Sequence, residues 1–380
     1  MMDIIETRRL LHQHPELGYE EHWTSQYIAQ RLAELGYEIH EKLAHTGIVA
    51  IWRGAIPDLG AVAYRADMDA LPIVEKTDVP FRSTNGCMHA CGHDSHMAVA
   101  IDVAEKVAAA PRAKRDIAFV FQPNEEGAPG EIPSGADLMC REGVVERFGL
   151  CKMVALHSDP TLEAGVMGIC QGAIWAESGR FTLEFQGESA HAAYPERGRD
   201  ALWAASQAVC AIYAALRRTR PARPEVVSIC TLTAGNAFNV VADHAQCEGI
   251  IRATSRAELD AIFHRIETVA KGMAQATETE LVAKLYYGAS AVANDDKIVA
   301  IARNIWSALG CAKDVNMNLA AEDFSYFSNK IPSFYAMMGV KPNNIQIPPS
   351  HSDKFTLDES ALPIASEAMF QLIMNLANDD

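Results

Sequence analysis

Gly60-Ala61-Val62-Ala63-Tyr64-Arg65-Ala66-Asp67 is unbroken in apolar residues until Arg65. A strand that reads this way, without polar alternation, is buried on both faces and belongs at the centre of a sheet covered by helices. On its N-terminal side GIVAIWRG (47–54) reads as a second strand. Before that, residues 3–15 and 23–35 carry helical spacing, through Ile4, Ile5, Leu10 and Leu11 and then Tyr27, Ile28 and Leu32, with Gly36 closing the second helix. On its C-terminal side an alanine-rich helix spans 95–109 and stops at Pro111. DIAFVFQP (116–123) and CKMVALH (151–157) are further apolar strands. Strands alternating with helices predict an α/β layer structure, and in such sheets chemistry gathers at strand ends.

The pattern changes near Ser178. FTLEFQG (181–187) alternates as a half-exposed strand, 198–217 is a long helix, and EVVSICTLT (225–233) and HAQCEGIIRAT (244–254) are strands. A helix over 256–275 and a strand over 280–288 complete a β-α-β-β-α-β order, the ferredoxin-like unit, which can fold on its own sheet. The expectation is an inserted domain at 178–289 and a discontinuous domain made of 1–177 and 290–380, with SFYAMMGV (333–340) returning to the first sheet.

The 380 residues exceed one comfortable core, which also argues for two domains. Apolar content of 49% and charged content of 22% are ordinary for a globular chain. A net charge of −16 argues against nucleic acid or an anionic membrane as partner. Nine scattered cysteines, no signal-peptide core at the N-terminus and no long apolar run point to the cytoplasm.

Polar clusters follow the predicted core strands. Met88-His89-Ala90-Cys91-Gly92-His93-Asp94-Ser95-His96 opens the alanine-rich helix; Cys91 and His93 can converge on one point, and a thiolate with an imidazole is a ligand pair for a transition metal. Arg65-Ala66-Asp67-Met68-Asp69, Gln122-Pro123-Asn124-Glu125-Glu126-Gly127 and Leu156-His157-Ser158 each end a strand, and Pro349-Ser350-His351-Ser352 lies near the C-terminus. Singly, each has an ordinary explanation: solvated loop charges for Glu125 and Glu126, an ion pair of Asp67 with Arg65, a satisfied core histidine at 157. Jointly they fit hydrolysis. Adjacent glutamates on non-helical backbone point to opposite sides, so one can bind a metal while its neighbour addresses a water. A metal lowers the pKa of a bound water toward ~7, and a nearby carboxylate moves its proton to the leaving nitrogen.

MHACGHDSH, RADMDALP, FQPNEEG, ALH and the AEDFSYF…SHSDKF tail resemble the amidohydrolase branch of the aminoacylase and zinc-carboxypeptidase clan over essentially the whole chain. Hippurate hydrolases, auxin-conjugate hydrolases and N-acetyldiaminopimelate deacetylases belong to that branch. The resemblance implies a catalytic α/β domain with a mixed central sheet and an inserted ferredoxin-like α+β lid and dimerisation domain. It implies two divalent metal ions per subunit, held by Cys91, His93, Glu126, His157 and His351; a thiolate ligand disfavours magnesium and leaves zinc, manganese, nickel or cobalt. Glu125 would be the general base, and Asp69 would orient a metal-ligating histidine. Asp67 stands where the wider clan keeps that histidine, so its role is open. His89 and His96 are not ligands in the pattern, although spacing alone does not exclude them. GESAHAAYPERGRDAL resembles the stretch whose histidine, His191, polarises the scissile carbonyl, and AFNVVADHAQCEGIIRAT the segment that gives Asn239 and Arg252 to a substrate carboxylate. Ser158-Asp159 and Asp353 depart from the common pattern, which bears on the choice of acyl group.

The activity so implied is hydrolysis of an N-acyl amino acid to a carboxylic acid and a free amino acid, by a homodimer or higher homo-oligomer. A dipeptidase or carboxypeptidase would use the same site. Two readings of other kinds are a thiol amidase with Cys91 as nucleophile and a non-catalytic metal-binding scaffold.

Overall fold

The structure, a computed structural model, describes residues 3–127, 133–217, 224–343 and 345–379. It divides into two compact units, Met1–Ile174 with Ala293–Asn316 and Asp323–Asp380, and Trp175–Val292 with Met317–Glu322.

The first unit is built on an eight-stranded sheet. Its order from one edge is Glu38–Leu43, Gly47–Trp52, Asp116–Gln122, Ala61–Asp67, Leu150–Glu163, Ser333–Lys341, Met167–Ile169 and Ala312–Asp314. The four strands from Asp116–Gln122 to Ser333–Lys341 are parallel, while Gly47–Trp52 and Glu38–Leu43 add antiparallel pairings at one side. The sheet is therefore mixed. Ala61–Asp67 runs between two parallel neighbours and is buried at every position, as its apolar reading requires.

Leu150–Glu163 is longer than the sequence indicates. It pairs with Ala61–Asp67 as far as Ala155 opposite Arg65, then continues on Ser333–Lys341, where His157 lies opposite Met337. His157 thus sits mid-strand, just past the last residue paired with Ala61–Asp67. Asp67 and Gln122 lie opposite each other at the end of their two strands.

The helix His93–Ala109 is buried over most of its surface and packs against Ile4–Gln13 and Ala361–Asn378. Most of its apolar side chains are enclosed, while Asp102, Glu105 and Lys106 mark its partly exposed side. Its N-terminus cannot shift without moving that core, so the residues that open it are held rigidly.

The second unit carries a four-stranded antiparallel sheet ordered Glu280–Tyr287, Glu177–Gln186, His244–Ala253, Val226–Ala234. The helices Ala201–Arg217 and Arg256–Ala276 cover one face, packing on Phe181, Leu183, Phe185 and Ile251. Numbered within the unit the order is fourth, first, third, second, the ferredoxin-like arrangement. All nine cysteines are free, and no helix among the described residues is long and apolar enough to cross a membrane.

Candidate metal centre

Cys91 and His93 flank Gly92, the residue that caps helix His93–Ala109 with φ +89°. Only glycine takes that conformation at no cost, and a Cβ there would lie 2.3 Å from the Ser158 hydroxyl. The turn holds both side chains in the interior, Cys91 at 7% exposure and His93 at 1%.

The backbone decides which nitrogen each histidine offers. His93 Nδ1 donates to the Asp69 carbonyl at 2.9 Å, which leaves Nε2 as the lone-pair end. That Nε2 is buried without a hydrogen-bond partner, 3.8 Å from Glu125 Oε2 and 3.9 Å from Glu126 Oε1. His157 Nδ1 donates to the Ser158 carbonyl at 2.8 Å, and its Nε2 stands 3.4 Å from Cys91 Sγ.

His351 and the two glutamates arrive on loops with left-handed residues, His351 at φ +66° and Asn124 at φ +47°. Strain of this kind persists only where surroundings over-determine it, and it concentrates at functional sites. The His351 N–H donates to the Ala90 carbonyl at 2.8 Å, and His351 Nε2 lies 3.1 Å from Glu126 Oε1. Hydrogen bonding to Cys91, then to Glu126, pushes His351 up to about 10. Groups that hold a proton there would equally hold a cation.

Three donor sets overlap: Cys91, His93, His157; Cys91, Glu126, His351; and His93, Glu125, Glu126. Within each, one donor atom per residue lies within 4.8 Å of the others. A thiol, imidazoles and carboxylates form a donor set for a divalent transition metal rather than magnesium. The buried, unpartnered His93 Nε2 is the atom such an ion would satisfy. The residues present fit the group.

Asp69 acts through two groups. Its carbonyl orients His93, and its carboxylate Oδ2 accepts the Glu126 N–H at 2.9 Å. Asp67 meets Arg65 Nη1 at 2.7 Å and His96 Nδ1 at 2.6 Å. Burial would raise its pKa, but the Arg65 guanidinium and the hydrogen bond from His96 hold it well below the carboxylate range. His96 also lies near His93 and Asp67, yet both its nitrogens are engaged, Nε2 accepting the Ser158 N–H at 2.9 Å. His89 is buried and falls in none of the donor sets among the described residues; burial pushes it down to about 3.

The remaining candidates lie in the second unit. His191 is exposed, and its Nδ1 accepts the Ala193 N–H at 3.1 Å, so the proton of the neutral ring sits on Nε2. Asn239 is on the adjoining segment, its carbonyl accepting the Ala192 N–H at 2.9 Å. Arg252 is half-buried on His244–Ala253, with Nη1 donating to the Ile251 carbonyl at 3.1 Å, and burial lowers its pKa.

The sequence profile of peptidase family M20/M25/M40 matches residues 63–375. The chain belongs to that family. An N-acetyldiaminopimelate deacetylase of Anoxybacillus flavithermus is 34% identical, over 97% of this chain and 96% of its own. A hippurate hydrolase of Campylobacter jejuni is 31% identical, over 97% and 94%. Among solved structures, a Bacillus subtilis protein described as a dinuclear metal-binding peptidase from the M20 family superposes with a TM-score of 0.86 at 31% identity, covering 99% of this chain and 98% of its own.

Two residues of this M20 chain escaped the sequence reading. Glu21 is buried and accepts from Thr46 Oγ1 at 2.5 Å and from the Asn124 N–H at 2.9 Å, fixing the turn that precedes Glu125. A single glutamate at a helix entry carries no signal of that task. Ser158 stood out only as a departure from pattern, and it makes three contacts at the centre.

Proposed function

We propose that this chain hydrolyses the amide bond of an N-acyl amino acid at a centre of two divalent metal ions held by Cys91, His93, Glu126, His157 and His351. The family and its deacetylase and hydrolase relatives make it a metal-dependent amidohydrolase. What supports the ligand assignment above all is that the three donor sets share Cys91, His93 and Glu126, and that hydrogen bonds to backbone carbonyls fix the His93 and His157 rings. A bound divalent ion supplies Lewis acidity, lowering the pKa of water and polarising the amide oxygen.

Glu125 takes a proton from the attacking water and delivers it to the leaving nitrogen. Asp69 keeps His93 and the Glu126 backbone in place. The His191 Nε2–H donates to the oxygen that gains charge in the transition state. Arg252 offers the amino-acid carboxylate a guanidinium fork, with Asn239 beside it. A homodimer belongs to this reading, since His191 is exposed on a separately packed unit and can serve a neighbouring copy.

The thiol-amidase reading draws on Cys91 Sγ lying 3.4 Å from His157 Nε2. A panel of acetyl-, benzoyl- and indoleacetyl-amino acids, assayed with zinc, manganese, nickel or cobalt added, tests the proposal. Turnover that needs a metal and a free α-carboxylate is expected. Turnover indifferent to chelators but stopped by thiol reagents would favour the nucleophile instead.

A further inference from the structure

Two of the proposed ligands, Cys91 and His157, come from segments far apart in sequence, and one residue touches both. Ser158 is 2% exposed and bonded through three groups. Its carbonyl accepts from His157 Nδ1 at 2.8 Å, its hydroxyl donates to the Cys91 carbonyl at 2.9 Å, and its N–H donates to His96 Nε2 at 2.9 Å. The last contact sets the tautomer of His96. A nitrogen that accepts an N–H carries no proton, so the His96 proton is on Nδ1 and points at Asp67 Oδ1, 2.6 Å away. Asp67 and His96 are 0% and 1% exposed, so neither ring nitrogen has water as an alternative.

We infer that Ser158 is a positioning residue that fixes Cys91 against His157, and that the Asp67–His96 pair holds Ser158 in register. The inference rests on the reading that Cys91 and His157 ligate a metal. Geometry distinguishes this from an ordinary buried hydrogen bond. The hydroxyl spans from the strand that carries His157 to the turn that carries Cys91. Gly92 leaves it room, since a Cβ there would lie 2.3 Å from Ser158 Oγ. It also gives Asp67 a task, as the anchor of the histidine that receives the Ser158 N–H.

Ser158→Ala removes only the hydroxyl and keeps both backbone contacts. The readout is cobalt(II) titration of the metal-stripped protein, following the thiolate-to-cobalt charge-transfer band in the near ultraviolet, with a competing chelator to set the affinity. Ser158→Ala is expected to bind cobalt about 10-fold more weakly or worse, the scale on which partners of ligands act. Melting of the metal-free protein should change little. Ser366→Ala removes another buried hydroxyl, one that donates to Asp102 in the helix layer, and should leave cobalt affinity unchanged. Parental affinity in Ser158→Ala overturns the inference while leaving the ligand reading intact, and so does equal weakening in Ser366→Ala. A parent protein with no thiolate band, or a Cys91→Ser variant that keeps the band, overturns the ligand reading and this inference with it.

Discussion

Histidine presents Nε2 in opposite forms in the two units, and the backbone does the setting. In the first unit His93 and His157 each spend Nδ1 as a donor to a carbonyl, at 2.9 and 2.8 Å, and are at most 8% exposed. Both offer a lone pair from Nε2, the form a metal requires. In the second unit His191 uses Nδ1 as the acceptor of a backbone N–H and is exposed, so Nε2 carries the proton. That is the form an oxyanion requires. The contrast also separates two buried rings, enclosed by neighbours, from an exposed one. Ligand residues should therefore answer to metal content, and His191 to rate alone.

The sharpest way to break this division is at the paired glutamates. Glu125→Gln should keep the metal and lose about 10²- to 10⁴-fold in turnover, because only proton transfer is removed. Glu126→Gln should instead release metal. Metal analysis and rates on both variants decide it, and a Glu125→Gln enzyme near full activity would sink the base assignment.

A smaller effect is expected at His191. His191→Ala should lower kcat by about 10²- to 10³-fold, the scale of a lost oxyanion donor, with metal content unchanged. Mixing it with Glu125→Gln asks whose centre it serves. If His191 acts on the partner copy, randomly mixed dimers restore about a quarter of all sites. No rescue in mixtures shown to contain mixed dimers would place His191 in its own chain's reaction or in none.

The smallest effect concerns burial on the locked side. Burial, with the charge of Asp69 adding to it, pushes the Glu21 carboxyl up to about 7. An unfolded glutamate titrates near ~4.3, so the folded state keeps a proton that the unfolded chain loses. Its contribution to stability is thus complete below ~4.3 and is lost as pH rises through about 7. The melting temperature of Glu21→Gln relative to the parent should climb from about pH 5 to about pH 8. A constant difference would return Glu21 to the ordinary range.

Much of this was legible in the residues. The apolar run 60–67 located the central strand, and the β-α-β-β-α-β order gave the second sheet its topology, because burial and periodicity are local properties of sequence. Chemistry-bearing residues were visible as types: a thiol, imidazoles and adjacent carboxylates near strand ends. What could not be read was which atom each would present. That Asp69 orients His93 through its carbonyl, and that His96 has both nitrogens occupied, depends on backbone groups that have no sequence signature. The length of Leu150–Glu163 was missed for a similar reason. Its second half is held by Ser333–Lys341, a pairing between distant segments. Glu21 and Ser158 act through backbone partners of the same kind.

In the proposed reading, donors around Cys91 and His93 hold the metal on which amide hydrolysis depends. The most direct test of that reading strips the protein with a chelator, then adds back a divalent transition metal in steps, measuring bound metal and hydrolysis of an N-acetyl amino acid together. Negligible turnover is expected in the stripped protein, with a return that tracks bound metal and with neither binding nor turnover recovered by a variant carrying both Cys91→Ser and His93→Ala. Full turnover by the stripped protein, or recovery by that variant equal to the parent's, would contradict that reading.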